Sequence, residues 1–545
     1  MTRSRLRRAP PPAGPPLLDI PFRQPRQTRP MDWLDAEGLE RLHNASLDIL
    51  ETVGIDFLDD EALDLWQRAG AHVDRAAQRV RIDRELLMAA IASAPASFRW
   101  RARNPAHDVT IGGDALAFGP CGGMVYAADL DRGRRPGTMA DYEDLLRLSQ
   151  CCHALHFASW EQVTAHDIPV NVRHLHRVRA ALRLTDKPVM EAAHGRVIPA
   201  DTLAMLALVF GSLDGDPVTG DVINVNSPLR YDQRMLGGLI SYARAGQATF
   251  ITPFILAGAM SPVTTAAALA QGNAEVLAGV ALTQLVRPGA PVIYGGFTTP
   301  IDLRRGSPAF GMPEAAWATL VGGQLARRYG LPYRGSGGLT SSQTADAQAT
   351  YEALWSLWPA VLGRANLIMH AAGWLDGGLT VSFEKFIIDL ENLAMFGHFL
   401  EDFALDDDAL ALDAIAAVGP GGHHLGTSHT AARYRTAFFP ATLADRQGHD
   451  AWLAGGGQDA AARANRVWKE LLAAYEPPPL DAAALEAALA TLRGHIVQVP
   501  PVYSALKQNG VPLYKRARRG EDVQAPPREV DVFRLDLIAH AGNRL

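Results

Sequence analysis

The sequence contains only three cysteines among its 545 residues: Cys121, Cys151 and Cys152. No CxxC pair and no Cys/His spacing typical of a zinc site occurs, so a disulfide-stabilised secreted fold is excluded and a reducing compartment is indicated. No apolar run reaches the ~18 residues of a membrane span. Arg8 is followed by a proline-rich stretch and not by the apolar core of a secretory signal. We therefore expect a cytoplasmic protein with no membrane contact.

A strong charge excess is also missing. The chain carries 52 Lys and Arg against 58 Asp and Glu, a net charge of −6, with 48% hydrophobic and 20% charged residues. This composition is typical of a globular protein and does not favour nucleic acid as the partner of the whole chain. The charge is unevenly distributed: residues 1–30 carry a net +6 and residues 494–545 a net +3, which leaves −15 for residues 31–493.

Composition and periodicity divide the chain into five segments. Residues 1–30 contain eight prolines and are predicted to form an extended, unpacked tail. Helical spacing of apolar residues predicts an N-terminal helical region over residues 31–105. We expect the main α/β domain over residues 106–405 and a C-terminal helical extension over residues 406–489. A separate basic fragment follows at residues 490–545.

Eight strand–helix repeats follow one another in the main domain. The strand candidates are nearly continuous apolar runs, which predicts a parallel sheet covered by helices. Eight such units predict a (β/α)8 TIM barrel. A doubly wound sheet is the alternative, but its glycine-rich first turn is missing. The predicted strands are 115–119, 155–163, 188–193, 221–227, 250–257, 291–297, 332–337 and 366–372. The predicted helices are 140–151, 169–185, 199–213, 231–246, 262–287, 313–329, 343–362 and 383–404.

Aromatic side chains are frequent where the predicted strands end, which is where functional residues of such barrels lie. Aromatic faces attract cations, so the rings predict a site for a cationic ligand, with ordinary core packing as the alternative for each ring. Glu191, Asn226 and Arg334 are the polar candidates for the same binding site. The candidate rings are Tyr126, Trp160, Tyr294, Phe297, Phe310, Tyr333, Trp374 and Phe383.

Three further residues at strand ends are candidates for catalysis. Glu314 and Asp346 each open a predicted helix, so each is either an anion facing the ligand or a first-turn acid favoured by the helix dipole. His370 ends the last predicted strand and is either an acid/base or a polar anchor. No P-loop, nucleophile elbow or zinc-binding helix is present, and no bound metal is predicted.

Several spaced segments together resemble the trimethylamine methyltransferase family, from about residue 31 to about residue 480. The resemblance implies a (β/α)8 barrel that moves a methyl group from a methylated amine to the cobalt of a separate corrinoid protein, with no cofactor bound in the chain itself. The founding enzymes carry pyrrolysine, which is absent here. This departure implies a quaternary amine such as glycine betaine as substrate. The segments are 119–123, 138–142, 224–228, 252–254, 257–262, 294–297, 311–314, 329–333 and 346–352.

The chemistry implied by this resemblance fits an aromatic site. A quaternary ammonium group leaves as a neutral amine, so the enzyme has to position the substrate and needs no general acid. The nucleophile is supplied by the corrinoid partner. Arg334 is then a candidate for holding the carboxylate of a betaine. We also expect a homo-oligomer. A homologue with altered or lost activity is the alternative.

The basic fragment at residues 490–545 resembles a different family, the tRNA pseudouridine synthases that modify the TΨC arm. The resemblance is carried by the stretch from Gln498 to Gly520 and by the segment that begins at Arg528. The glycine-rich motif that holds the nucleophilic aspartate of that family is absent from this chain. We therefore predict no pseudouridine synthase activity and interpret the fragment as a fusion remnant, with RNA binding as the alternative function.

Overall fold

The computed structural model describes residues 15–27, 29–401, 403–480, 494–498, 506–508, 510–517 and 527–533. The chain forms two units: Met1–Leu206 with Ser212–Pro478, and Ala207–Gly211 with Pro479–Leu545. No helix in the described ranges is long and apolar enough to cross a membrane.

The N-terminal region contains the predicted helices and, in addition, short strands. Strands β2 (His72–Asp74) and β3 (Arg79–Arg81) form an antiparallel hairpin. Strand β3 also pairs antiparallel with β1 (Ile55–Phe57). Strands of three residues are too short to show an alternating pattern, which is why the sequence predicts helices alone. The elements are α1 (Ala36–Asp48), β1 (Ile55–Phe57), α2 (Asp60–Ala69), β2 (His72–Asp74), β3 (Arg79–Arg81), α3 (Arg84–Ile91), β4 (Ser97–Trp100) and β5 (Val109–Gly112).

Residues 15–27 are packed against this region, so the prediction of an unpacked tail is wrong for them. Leu17 is buried in the main core. Gln24 donates from Nε2 to the carbonyl oxygen of Thr110 at 2.9 Å, and its Oε1 accepts the Thr110 amide at 2.7 Å. Arg26 also forms an isolated antiparallel bridge with Ala115, so side-chain and backbone hydrogen bonds together hold this proline-rich segment. Residues 1–14 and 28 lie outside the described residues.

The main domain alternates strands and helices, and all eight predicted helices are confirmed to within a few residues. The first part contains β6 (Ala117–Phe118), β7 (Tyr126–Asp129), β8 (Gly133–Pro136), α4 (Met139–Cys151), α5 (Val170–Leu184), α6 (Val197–Phe210), β9 (Gly220–Val225), β10 (Arg230–Tyr231), α7 (Gln233–Arg244), β11 (Ala248–Ala257) and α8 (Thr265–Val286). The second part contains β12 (Val292–Gly295), β13 (Phe297–Asp302), β14 (Ser307–Pro308), α9 (Pro313–Arg328), β15 (Tyr333–Ser336), α10 (Ala347–Leu362), β16 (Leu367–Met369), β17 (Trp374–Leu375), β18 (Thr380–Ser382) and α11 (Phe383–Phe399).

Six of these strands form a continuous parallel arrangement in the order β9, β11, β12, β15, β16, β6. Strand β13 pairs with the second half of β11, also parallel. A separate four-stranded sheet, ordered β17, β18, β7, β8, lies in the loops that follow β6 and β16. The fold is therefore α/β, with helices between consecutive parallel strands.

Two predicted strands, 155–163 and 188–193, are wrong: both segments lie outside the strands of the structure. Side chains take the backbone amides that a ladder would pair. The Met190 amide donates to Ser159 Oγ at 2.8 Å and the Ala193 amide to Asp221 Oδ2 at 2.7 Å. The Phe118 amide donates to Nδ1 of His156 at 3.1 Å. Because the amides are satisfied in this way, the apolar pattern persists without strand geometry.

The face of the parallel sheet opposite the helices is filled by a compact apolar cluster. Side chains two residues apart share a face of a strand, and this side receives one residue or more from nearly every strand. The hairpin β4–β5 adds Phe98 and Trp100 to the cluster. The members on the parallel strands and the two irregular segments are Ala117, Phe157, Met190, Val222, Ala248, Phe250, Ile293, Leu367 and Met369.

The C-terminal extension is helical, as predicted, within the described residues up to 480. It contains α12 (Asp407–Leu410), α13 (Leu412–Val418), α14 (Ser428–Arg433), α15 (His449–Ala454) and α16 (Ala460–Ala474). The second unit contains β19 (Gly494–Gln498), β20 (Lys507–Gln508), β21 (Val511–Pro512), α17 (Leu513–Ala517) and β22 (Arg528–Val532). There β19 pairs with β22 and β20 with β21, both antiparallel.

A buried lysine fixes the first irregular segment to the end of α4. Lys187 Nζ donates to the carbonyl oxygens of Ser149, Cys152 and Leu155 at 2.7, 2.8 and 2.8 Å. These include a carbonyl in the last turn of α4, which has no partner within the helix. Burial lowers the pKa of Lys187 to about 8, so the ammonium group remains charged at neutral pH. One charged side chain thus satisfies three buried carbonyl groups.

Lys187→Met is expected to lower the free energy of unfolding by about 3 kcal/mol, because it leaves buried carbonyl groups without a donor. The measurement is the midpoint of urea unfolding. Lys469→Met is the matched control, since Lys469 is 44% exposed and pairs with Asp131 at the surface. The control is expected to change stability by less than ~0.5 kcal/mol. Equal effects of the two variants would contradict the role assigned to Lys187.

Candidate active site

Six rings meet at the carboxyl ends of the parallel strands. The ring of His370 lies 4.9 Å from Trp160, 5.3 Å from Phe297 and 4.7 Å from Trp374, measured between ring centres. The rings of Phe254 and Phe310 extend the cluster, at 4.8 and 6.1 Å from Phe297. We call this group the aromatic cluster; its members are Trp160, Phe254, Phe297, Phe310, His370 and Trp374. Faces of rings grouped in this way form a favourable environment for a cation.

The side of the sheet that carries the cluster is accessible from the carboxyl end. Asn224 follows Val222 by two residues on β9, so the two share a face, and Val222 belongs to the apolar cluster below. Asn224 is nevertheless exposed, although it lies within the strand. The neighbouring rings of Phe254 and Phe297 are half-buried. Solvent therefore reaches the layer above the apolar cluster.

Arg334 is a buried cation beside the aromatic cluster. It extends from β15, with its guanidinium carbon 5.3 Å from the centre of the Phe297 ring. Its Nε lies 3.2 Å from Met369 Sδ, and Nη1 donates to the Gly296 carbonyl at 3.4 Å. No carboxylate of the described residues forms an ion pair with it, and burial lowers the pKa of Arg334 to about 9. A buried guanidinium with no carboxylate partner is suited to bind the anionic group of a ligand.

His370 is held neutral in the cluster. It is buried, and both its burial and the nearby charge of Arg334 place the pKa of His370 well below its usual range. Its backbone lies in the left-handed region, with φ of 58°. Nδ1 of His370 and Oγ of Ser336 are buried, and neither atom forms a hydrogen bond within the described part of the protein. Two polar atoms near Arg334 are thus available to a ligand.

Two glycines make room for the rings of the irregular segment. A Cβ atom at Gly122 would lie 2.1 Å from the Trp160 ring, and one at Gly119 would lie 1.8 Å from the Phe157 ring. Neither distance is compatible with a real side chain. Glycine at these positions therefore lets the rings approach the backbone that follows β6.

The loop that carries Trp374 is held by buried polar contacts. Asp389 forms an ion pair with Lys385 on α11, and its Oδ2 accepts the amide of Gly373 at 2.9 Å. Both side chains of the pair are fully buried. Trp374 Nε1 donates to the Thr340 carbonyl at 3.1 Å, and the Thr340 hydroxyl donates to Glu352 at 2.6 Å. These contacts fix the orientation of the Trp374 indole.

Four predicted rings are not brought to this cluster. Tyr294 and Tyr333 lie on the helix-facing side of their strands, where their hydroxyl groups donate to Asn273 and to the Thr319 carbonyl. Successive side chains of a strand point to opposite faces. Tyr294 and Tyr333 are each next to an inward-facing residue, so both tyrosines face the helices. Tyr126 is covered by the Arg134 guanidinium at 3.6 Å. Phe383 packs against Trp468 at 5.1 Å.

Glu191 belongs to a buried ionic group that includes Arg177 and Glu161, the residue that follows Trp160. Arg177 on α5 donates to Glu161 at 2.9 Å and to Glu191 at 3.5 Å. Burial raises the pKa values of Glu191 and Asp221 to about 7. The contacts of Arg177 connect α5 to both irregular segments, and the role of Glu191 in substrate binding stays a prediction.

The remaining polar candidates have simpler environments. Asp346 caps α10, where its Oδ1 accepts the Ala349 amide at 2.9 Å, and this hydrogen bond lowers its pKa. Asn226 is exposed and accepts the Asp232 amide at 3.2 Å. Glu314 is half-buried in the first turn of α9. Capping thus accounts for Asp346, whereas no described contact assigns a role to Glu314.

Phe254 is a member of the cluster that was absent from the sequence-based candidates. The signal in the sequence is the two-residue repeat of β11. Phe250, Thr252 and Phe254 lie on the same face of the strand, and Phe250 belongs to the apolar cluster.

In the described part of the chain, no three His, Cys, Asp or Glu residues come together as a metal site. The arrangement places a group of aromatic rings beside a buried guanidinium that has no carboxylate partner among the described residues.

Comparison of the sequence with known proteins identifies its family. The model of the family described as "Trimethylamine methyltransferase (MTTB)" matches residues 3–493. The model of the "TruB family pseudouridylate synthase (N terminal domain)" matches residues 461–545, and therefore overlaps the end of the first match.

Curated relatives cover most of the chain. Glycine betaine methyltransferase of Desulfitobacterium hafniense (strain Y51) is 40% identical over 451 residues, which is 82% of this chain and 94% of that protein. Trimethylamine methyltransferase MttB of Desulfitobacterium hafniense (strain DSM 10664 / DCB-2) is 31% identical over 475 residues, 86% of this chain and 94% of that protein. The crystal structure of the Methanosarcina barkeri monomethylamine methyltransferase (MtmB) covers 85% of this chain and 91% of that chain, with 9% identity and a TM-score of 0.46. The chain belongs to the trimethylamine methyltransferase family.

Proposed function

We propose that this protein transfers a methyl group from a betaine, a quaternary amine that carries a carboxylate, to the cobalt of a separate corrinoid protein. The observation that carries the proposal is the position of Arg334, a buried guanidinium without a carboxylate partner, beside the rings of the aromatic cluster. The 40% identity to a glycine betaine methyltransferase supports the same substrate class.

The aromatic cluster binds the positive end of such a substrate. Ring faces carry negative electrostatic potential, so they stabilise an ammonium group whose methyl substituents prevent hydrogen bonding. Because His370 is neutral, it contributes a fourth ring close to Trp160, Phe297 and Trp374 without repelling the cation. We therefore assign His370 to cation binding and positioning, and not to acid catalysis.

Arg334 binds the negative end. Its guanidinium lies beside Phe297, so a carboxylate bound to it stays within a short distance of an ammonium group on the same ring. Ser336 follows Arg334 by two residues on the same face of β15, and its free hydroxyl is available to the same carboxylate. The two ends together hold the substrate in one orientation, with a methyl group directed towards the open carboxyl end.

The transfer breaks the bond between the methyl carbon and nitrogen. The nitrogen retains the electron pair and leaves as a neutral tertiary amine, so no proton has to move. The corrinoid carried by the partner protein supplies the nucleophile that accepts the methyl group. The residues of this chain bind and orient the substrate, and the roles predicted from the sequence for Glu314 and Asp346 are not needed in this scheme.

We also propose that the main domain is a closed (β/α)8 barrel. The two irregular segments lie between β6 and β9, where strands two and three of such a barrel belong. The His156 amide donates to the Phe118 carbonyl at 2.8 Å on one side, and Ala193 reaches Asp221 of β9 on the other. The corrinoid partner then approaches the open carboxyl end.

The cytoplasmic location and the absence of pseudouridine synthase activity stay predictions.

The direct test mixes the full chain with a reduced corrinoid protein and individual methylated amines, and follows methylation of the corrinoid by its absorbance. Methylation with a betaine, and none with trimethylamine, is expected. Methylation with trimethylamine alone would favour a trimethylamine-type enzyme, and a lack of reaction with every quaternary amine would overturn the proposal.

Arg334→Met is expected to lower kcat/KM for glycine betaine about 100-fold, the value of a lost charge-assisted contact. Activity with choline, which has no carboxylate, should change little. Thermal stability is expected to be maintained, because a buried charge without a partner does not stabilise the fold. Arg304→Met, at an exposed turn, is the control. An equal loss of activity with both amines would contradict carboxylate binding by Arg334.

Gly122→Ala is expected to displace the Trp160 ring and to weaken substrate binding about 5- to 30-fold, since a cation–ring contact contributes about 1–2 kcal/mol. The KM for the betaine and the change in tryptophan fluorescence relative to wild type are measured. Gly397→Ala is the matched control, because a Cβ at Gly397 on α11 meets nothing within 4 Å. An unchanged KM in the Gly122 variant would remove Trp160 from the site.

A further inference from the structure

Asn224 is the one exposed residue of β9, and the other five residues of that strand are buried. Its neighbours Ile223 and Val225 belong to the main core on the helix side, whereas Val222 belongs to the apolar cluster. Because successive side chains alternate, Asn224 faces the side of the sheet that carries the aromatic cluster. In the described part of the chain, its side-chain amide has no hydrogen-bond partner. A free amide is therefore directed into the space where the ligand is expected.

The pairing of the strands places Asn224 and Arg334 at the two ends of one row of inward-facing positions. Asn224 is the partner of Thr252 on β11, and Gly295 on β12 is the partner of Arg334 on β15. The pairing of β11 with β12 makes Thr252 and Gly295 neighbours. The row therefore runs from the amide through a hydroxyl and a glycine to the guanidinium.

The two middle positions of the row leave the space above them open. The Thr252 hydroxyl already donates to a backbone carbonyl of its own strand, and a Cβ atom at Gly295 would lie 2.0 Å from that hydroxyl oxygen. The Arg334 guanidinium reaches the Gly296 carbonyl at 3.4 Å. Two strand spacings, about 10 Å, then separate the guanidinium from β9. A small zwitterion together with the side chain of Asn224 spans this distance.

The six parallel strands place a single charged side chain, that of Arg334, on this side of the sheet. Their one acidic residue is Asp221, which is adjacent to the inward-facing Val222 and therefore points to the helices. There Asp221 accepts the amide of Ala193 at 2.7 Å. A simple ammonium ion thus meets rings but no carboxylate on these strands, whereas a zwitterion also binds Arg334 through its own carboxylate.

We propose that Asn224 is a specificity-determining residue of the substrate site, whose uncharged amide contacts the ammonium end of a betaine while Arg334 binds the carboxylate. This inference rests on the proposed function and adds to it the basis of selection. The positive nitrogen polarises the methyl groups of a quaternary ammonium, and the amide oxygen accepts weak C–H hydrogen bonds from them. An aspartate of the same shape would hold any methylated ammonium by its charge. The neutral amide instead makes tight binding depend on the carboxylate of the ligand.

The test is calorimetric titration of the full chain with glycine betaine and with choline, in the absence of a corrinoid protein. Asn224→Asp is expected to lower the Kd for choline relative to the Kd for glycine betaine at least about 10-fold, because it adds a charge that attracts any ammonium group. Asn224→Leu is expected to raise both Kd values about 3- to 10-fold, because the contact it removes is common to both ligands. Asn224 is exposed, so the thermal midpoint of both variants should stay as in wild type.

Asn171→Asp is the matched control, since Asn171 is an exposed asparagine on α5 and the substitution adds the same charge. The control should keep both Kd values of wild type. An unchanged ratio of the two Kd values in Asn224→Asp, an equal change in the control, or a wild type that binds neither ligand overturns the assignment of Asn224. Methyl transfer is not part of this readout. Binding that follows the expected pattern without methylation of a corrinoid protein would contradict the proposed function and leave the role of Asn224 supported.

Discussion

The two-residue alternation of the parallel strands is the constraint on which the site depends. On β12, Ile293 enters the apolar cluster, whereas Tyr294 faces the helices and donates to Asn273. On β15, Arg334 faces inward and Tyr333 packs against α9. The same rule that buries the sheet on both sides therefore decides which of two adjacent side chains meets the ligand.

Buried charge is used in two different ways in this protein. Lys187, Lys385 and Arg177 each donate to carbonyl or carboxylate oxygens, and each contacts a segment next to the sheet. Arg334 is buried to the same extent but has only a thioether, a carbonyl and a ring around it. The ammonium group of Lys187 has three carbonyl acceptors and Lys385 has a carboxylate, whereas the Arg334 guanidinium has one carbonyl and one thioether, and this difference supports the carboxylate site proposed above.

The sector between β6 and β9 shows how a strand can be lost while its sequence pattern is retained. Residues 155–163 and 188–193 are apolar enough to predict strands. Ser159 and Asp221 nevertheless take backbone amides, and the ionic group of Arg177, Glu161 and Glu191 fills the space outside the sheet. This irregular course brings Trp160 over Gly122 and next to His370. The departure from regular structure therefore contributes a ring to the aromatic cluster.

The sequence by itself determined the order of the main-domain helices and of six parallel strands, the family and the class of ligand, because apolar periodicity and spaced motifs are local properties of the chain. Trp160, Phe297, Phe310, Arg334, His370 and Trp374 were candidates from the sequence, and the structure brings these six together, whereas what they bind stays a prediction. Only the tertiary structure decided that Tyr126, Tyr294, Tyr333 and Phe383 lie elsewhere, that Phe254 joins the cluster and that Asp346 is a cap. The physical reason is that a sequence shows where a strand ends but not the direction of each side chain, which is set by strand register and by which polar groups are already hydrogen-bonded.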